Sequence, residues 1–205
     1  MPSSEESTSR KNYEMNVIAP LGIDGAWLHQ SDVYGDSRGY FTEWFKSELV
    51  RNIIGREFKI SQANISKSKK GVVRGIHFSI AKEGQAKWIT CISGRIIDFV
   101  VDIRPSSPTF KKWISVELTE TSGKSVFVGE GLGHAIISME DDSRISYLLS
   151  SPFSPKEEFA INPRDPDIGI DWPLEELFFS PKDEKAPYLK DLLNTLKQSP
   201  HSGGN

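Results

Sequence analysis

An arginine and a histidine stand three residues apart in Gly71-Val72-Val73-Arg74-Gly75-Ile76-His77-Phe78. The stretch is rich in apolar and β-branched residues and reads as a strand. Strict alternation sends Arg74 and His77 to opposite faces. Gly75 lies between them, and a glycine inside a strand marks a bulge that re-aims a side chain. With a bulge, both residues face one cavity and set a fixed cation beside a titratable base. Without one, they are a half-buried strand histidine and a surface arginine. Elsewhere the chain offers Asp183 to orient an imidazole, Tyr147 to give a proton, and Lys87 and Arg38 as cations for a developing enolate or a phosphate. Together these types make up an acid–base site for moving a proton. Each also has a plainer reading: Asp183 as an acid near a helix start, Tyr147 as a buried core tyrosine, Arg38 as a solvated turn residue. Spacing alone does not assemble them.

Other chemistries find less support. A metal site on a small barrel draws several histidines and a carboxylate from neighbouring strands. Here His77 is followed two residues later by Ser79, and apart from His77 and His134 no ordered segment offers a convincing imidazole ligand, so no metal is expected. His29 reads as a surface residue at a strand end, and His201 lies in a polar tail. There is no P-loop lysine motif, no dinucleotide glycine fingerprint before a helix, and no serine on a strand-to-helix elbow.

The 205 residues suit one domain, and 37% apolar with 26% charged residues allow a packed core. The net charge of -3 gives no basic stripe for nucleic acid. The one cysteine, Cys91, sits in an apolar run and reads as a small core residue in a reducing cytoplasm. No apolar run approaches the ~18 residues of a membrane span, and the Ser/Glu-rich start lacks the apolar segment of a signal peptide. Residues 1–13 and 198–205 read as disordered tails around a single domain, 14–197.

The elements that must position these groups are mostly short strands. Ile60, Gln62 and Asn64 share one face, as do Gln85, Lys87, Ile89 and Cys91. Arg95 to Arg104 is a nearly continuous apolar run and reads as a central strand. Ile114, Val116 and Leu118 point inward, and Ile145, Tyr147 and Leu149 share a face. About nine strands separated by turns, with no helix between successive ones, argue for an antiparallel sandwich or barrel. Glu43 to Ile54 reads as a short helix closed by Gly55. A Pro-rich last third should wrap the barrel. Within it Ser180 and Pro181 open a helix, and Tyr188, Leu189, Leu192, Leu193 and Leu196 follow at helical spacing.

Several motifs, in order, resemble one family. They are Gly35-Asp36-Ser37-Arg38-Gly39, Val73 to Phe78, Asp102-Ile103-Arg104-Pro105-Ser106-Ser107-Pro108-Thr109-Phe110, Glu130-Gly131-Leu132-Gly133-His134, and Ile170-Asp171-Trp172-Pro173 with Ser180 to Asp183. From about residue 20 to 195 the chain resembles the dTDP-4-dehydrorhamnose 3,5-epimerase family. The resemblance implies an all-β, cupin-type jelly-roll barrel with short flanking helices, in a strand-exchanged homodimer. It implies a metal-free, cytoplasmic isomerase that inverts C3, C5 or both on a dTDP-4-keto-6-deoxyhexose, with no cofactor, nucleic acid or membrane. On this likeness His77 is the base, Asp183 its carboxylate partner, Tyr147 the acid on the opposite ring face, and Lys87 the cation near the substrate oxygen. Arg38 and Arg74 match diphosphate-binding positions, and Glu43, Gln62, Asn64, His134, Glu158 and Lys182 match substrate contacts. Arg38 and Glu43 would reach the neighbouring subunit's site. Phe153 stands where the family usually has a tyrosine that stacks on thymine.

The chain departs from the family at Ala63, where an acid is usual, and at Leu148, where lysine is usual. Gly129 replaces a proline and Ala135 a glycine. These changes resemble the branch that makes deoxysugars for secondary metabolites, some of whose members invert one carbon only. A non-catalytic cupin that binds a nucleotide sugar is the alternative. A cupin ketoisomerase would resemble proteins with a second histidine where this chain has Ser79.

Overall fold

Successive side chains of a strand point to opposite faces, so alternating apolar residues bury one face and a continuous apolar run buries two, and this chain uses both patterns. The computed structural model describes residues 17–198. Its strands are β1 (Val17–Pro20), β2 (Ala26–Gln30), β3 (Val33–Asp36), β4 (Gly39–Thr42), β5 (Gln62–Ser68), β6 (Val73–Ser79), β7 (Lys87–Ser93), β8 (Arg95–Asp102), β9 (Trp113–Thr119), β10 (Lys124–Val128), β11 (Leu132–Ser138), β12 (Ser143–Leu149) and β13 (Glu158–Ala160). Helix α1 (Ser47–Ile54) precedes β5, and α2 (Pro181–Glu184) and α3 (Leu189–Gln198) follow β13. One sheet runs β1-β2-β10-β7-β12-β5 and the other β13-β6-β11-β8-β9, while β3 and β4 form a separate hairpin. The pairings are antiparallel, and no helix lies between β5 and β13, as in a jelly roll. Among the described residues no helix is long and apolar enough to cross a membrane. The expected tails lie outside the described residues, apart from Gln198, which ends α3.

Three apolar clusters follow from the alternation. Between the sheets lie Ile89, Cys91, Val126, Val128 and Ile145 from one and Ile96, Val100, Val116, Leu118 and Ile136 from the other. Burial pushes the Cys91 thiol up to about 11, which suits an inert core residue. Behind the six-stranded sheet, Trp88, Phe127 and Leu148 pack under Val50 of α1 and Phe58. Behind the other sheet, Phe99, Val101, Ala135 and Ile137 pack under Ile161, Ile168, Trp172, Leu189 and Leu192 of the C-terminal wrap. Strand β8 is thus covered on both faces, which accounts for its continuous apolar sequence.

Two helical expectations are corrected. The helix expected from Glu43 starts only at Ser47: residues 43–46 are not helical, and Lys46 before the helix is extended. The Trp44 carbonyl accepts from Trp88 Nε1 at 2.8 Å and Ser125 Oγ at 3.2 Å. Gly55 ends the helix at φ 69 as expected. The C-terminal helix is two pieces, α2 and α3, split around Pro187, whose carbonyl accepts from Asn162 N.

The bulge expected at Gly75 is present. His77 pairs with His134 and Arg74 with Ile136, three steps on β6 against two on β11. The extra residue restores the parity of positions 74 and 77. The Gly75–Ile76 peptide bond is cis. Gly75 has φ 129, and a Cβ there would lie 2.5 Å from Ala135 Cβ and 2.6 Å from the His134 carbonyl oxygen. Overpacking of this kind costs roughly 1–3 kcal/mol. Gly75→Ala should therefore lower Tm in calorimetry well beyond Gly39→Ala, whose φ of 134 is similar but whose surroundings are open. Equal losses in the two variants would mean that the close approach to β11 does not limit the fold.

Candidate active site

The bulge turns the β6 side chains into a cavity of about 460 Å³ between the two sheets, lined by Arg74, His77, Lys87, His134, Tyr147 and Asp183 among others. A second lobe of about 210 Å³ shares His77, Lys87, Tyr147 and Lys182 and adds Gln62, Asn64, Gln85, Phe153 and Glu158. The shared residues make the two lobes one cleft. His77 stands on the five-stranded sheet, and Tyr147 and Lys87 stand on the six-stranded sheet facing it.

The imidazole is held from behind. His77 Nε2 lies 2.6 Å from Asp183 Oδ1, with the carboxylate side chain 4% exposed and the imidazole 35%. Ser180 caps α2 by accepting from the Asp183 N–H at 3.1 Å. Burial works to raise the Asp183 carboxyl, but hydrogen bonds from His77, Ser180 and the Gly75 amide, with the charge of His77, outweigh it and hold the carboxyl below 3.8. An ionised Asp183 accepts the Nε2 proton, so Nδ1 of the neutral ring carries the lone pair.

Across the cleft, burial drives two groups in opposite directions. Desolvation lowers the Lys87 ammonium, against the nearby carboxylates of Glu158 and Asp98, which raise it. Desolvation raises the Tyr147 phenol, with Arg74 lowering it and Glu158 raising it, so the phenol keeps its proton at neutral pH. Arg74 is braced on the rim by Ser68 Oγ and the Lys67 carbonyl, both at 3.0 Å. His134 is paired at 2.8 Å through Nε2 with Asp98, whose side chain is fully buried. Among the described residues, no group of three or more His, Cys, Asp or Glu is placed to hold a metal ion.

The cleft gathers eleven of the thirteen residues singled out in the sequence. Arg38 and Glu43 are not among them. Arg38 is 88% exposed at the β3–β4 turn and paired with Asp36, and Glu43 pairs with Lys46. Gln62 is itself committed: its amide donates to Asn64 Oδ1 and its carbonyl accepts from Phe153 N. Two residues were missed. Gln85, already placed on the face of Lys87, was given no role, and Asp98 is a mid-strand acid between apolar residues, a signal that was available. Of the family departures, Leu148 is buried on the far side of its sheet opposite Ala63, Ala135 packs beneath Gly75, and Gly129 abuts Gly25. Only Phe153 lines the cleft.

A jelly-roll barrel with a buried acid–base cleft defines the class of protein. A sequence model of the dTDP-4-dehydrorhamnose 3,5-epimerase family matches residues 20–191. The enzyme of that name from Mycolicibacterium smegmatis is 43% identical over 172 residues, 83% of this chain and 85% of its own. NovW, a 4-keto-6-deoxy sugar epimerase from the novobiocin gene cluster of Streptomyces spheroides, superposes with a TM-score of 0.86 at 37% identity, covering 89% of this chain and 92% of NovW. ChmJ, a 3'-monoepimerase from Streptomyces bikiniensis solved with dTDP-quinovose, gives 0.83 at 40% identity, covering 86% and 89%. The chain belongs to the dTDP-4-dehydrorhamnose 3,5-epimerase family.

Because the folded Asp183 carboxyl titrates below 3.8, its pairing adds stability above that pH and loses it as the pH falls through the folded value. Asp183→Asn should cost roughly 1.5–3 kcal/mol at neutral pH, the worth of a hydrogen bond to a charged group. In urea unfolding the gap to the parent protein should close as the pH falls below 4. A gap that stays constant to acid pH would show that the carboxylate's charge does not matter to it.

Proposed function

We propose that this protein inverts C3, C5 or both of a dTDP-4-keto-6-deoxyhexose by proton transfer through an enolate, in deoxysugar biosynthesis. The observation that carries the reading is the face-to-face placement of His77 and Tyr147 on opposite sheets of one cleft. His77 Nδ1 takes the proton from the carbon beside the C4 ketone, and the C–H electrons pass to the ketone oxygen. The Lys87 ammonium stabilises the enolate oxygen, and Asp183 supports the imidazolium. Tyr147 gives its proton to the carbon from the other ring face, and the enolate collapses to the inverted ketone. Solvent then reprotonates the phenolate and takes the proton from His77. An acid or base placed in this way contributes roughly 10²–10⁴-fold, and electrostatic support adds to that.

The remaining groups bind. Arg74 suits the diphosphate, since its guanidinium forks two oxygens. Phe153 offers a ring face for the nucleobase without a hydroxyl, and Gln62, Asn64, His134, Glu158 and Lys182 offer polar contacts along the cleft. The lone, buried Cys91 fits a cytoplasmic setting.

In D2O with dTDP-4-keto-6-deoxyglucose, NMR should show deuterium entering C3, C5 or both. His77→Ala should abolish exchange. Tyr147→Phe should lower inverted product while leaving some exchange, because proton removal survives. Full exchange in His77→Ala would remove the histidine from the role of base. No exchange in the parent protein would favour a non-catalytic sugar-binding cupin.

We further propose a homodimer in which Arg38 and Glu43 complete the neighbouring site. Both sit by a hairpin whose Tyr34, Tyr40 and Phe41 are exposed, away from this chain's own cleft. Arg38→Ala and His77→Ala chains, each inactive alone, should regain up to about a quarter of parental activity when unfolded and refolded together, since random pairing makes half the dimers mixed, each with one intact site. A mixture that stays inactive would place Arg38 in its own subunit's site, and an Arg38→Ala chain active by itself would place it outside catalysis.

A further inference from the structure

Gln85 precedes β7 by two residues, is 6% exposed, and takes no part in the chemistry above. Its Nε2 donates to Glu158 Oε1 at 2.7 Å and reaches the Ser151 carbonyl at 3.4 Å. A buried carboxamide gives up water and side-chain freedom, so its hydrogen bonds fix whatever they hold. What they hold is the only carboxylate on β13 and the turn leading to Phe153. Glu158 acts on Lys87 through its charge, yet among the described residues the two form no direct ion pair. A desolvated ammonium attracts any mobile carboxylate nearby, and direct pairing would spend the charge that the enolate oxygen needs.

We infer that Gln85 is a positioning residue: its carboxamide pins Glu158 beside the cleft and keeps that carboxylate from closing onto Lys87. The inference rests on the epimerase reading for its catalytic consequence, but the restraint itself can be read without turnover. Seven other groups bear on the Lys87 charge or share its cleft: Asp98, Asp183, His77, His134, Tyr147, Lys182 and Arg74. None of them bonds to Gln85 among the described residues, so a change at Gln85 should reach Lys87 through Glu158.

The test uses the full chain labelled with [13Cε]-lysine, with the Lys87 resonance assigned by its loss in Lys87→Met. Gln85→Met keeps the volume and removes the donor. Freed, Glu158 closes on the ammonium, and the Lys87 titration midpoint should move to higher pH. In the Glu158→Gln background the same substitution should leave the midpoint where it was, a non-additivity that a merely structural role would not produce. Gln85→Asn, polar but one methylene too short, should behave as Gln85→Met does and guards against a folding artefact. An unchanged or lowered midpoint in Gln85→Met, or an equal shift in both backgrounds, would overturn the inference. Where the parent protein exchanges deuterium, Gln85→Met should slow that exchange by about tenfold, within what a small misplacement costs. If the parent protein does not exchange, the epimerase reading fails, and the lysine titration still decides the role of Gln85.

Discussion

The contact between His77 and Asp183 joins residues 106 positions apart, and most of the chain serves to make it. On one side it needs β6 to carry an extra residue, or the imidazole would point into the outer cluster. On the other it needs a four-residue helix fixed at the barrel wall. That helix is placed by the strand-like run before it. Val73 N donates to the Phe178 carbonyl, and Phe178 N donates to the Gly71 carbonyl, so the C-terminal wrap is sewn to the edge of β6 just below the histidine. Behind this seam, Ile161, Ile168, Leu189 and Leu192 bury against the outer face of the five-stranded sheet. The Pro-rich third is therefore ordered by apolar burial, and its product is one carboxylate.

The barrel then sets the protonation states. Both walls are apolar below the cleft, so charge on any group there is expensive. The carboxylate survives because three donors reach it. The phenol keeps its proton for the same reason that the lysine is inclined to lose its own. Desolvation thus acts in opposite directions on two groups that face one cleft, holding the proton on the Tyr147 phenol and lowering the Lys87 ammonium. The nearby carboxylates of Glu158 and Asp98 offset it at Lys87, which makes their exact placement consequential.

Much of this was legible in the sequence, for reasons that differ by element. Strands covered on two faces, such as β8, announce themselves by continuous apolar residues, and β9 by its alternation. The glycine in β6 correctly signalled a change of parity. The short edge strands β1, β3 and β13 carry too few residues for any period to show, and their pairing is decided by neighbours far away in the chain. The start of α1 was misread because Trp44 fits helical spacing, while its carbonyl is claimed by Trp88 and Ser125 from other strands. Family likeness, not spacing, brought Glu158 and Lys182 forward. Gln85 was placed on the face of Lys87 but given no role, because its partners Glu158 and Ser151 come from β13 and the turn before Phe153, which no local pattern connects to it.

The departures from the family sharpen the question of which carbon is inverted. Ala63 and Leu148 face away from the cleft, and Ala135 and Gly129 fit against backbone. None can touch a sugar held between the sheets. On the proposed mechanism one histidine and one tyrosine serve every carbon beside the ketone, so selectivity cannot come from changing the pair. It must come from how the hexose is turned between them. On the same proposal the turn would be fixed where the nucleotide is held, by Arg74 on one rim and by the segment around Phe153 on the other. That second anchor is itself tied to Gln62 through its backbone amide, so its ring position is a property of the β5 edge. Substitutions that shift that edge by a fraction of an ångström would rotate the sugar without touching it, which is how sequence changes outside the cleft can alter the stereochemical outcome inside it.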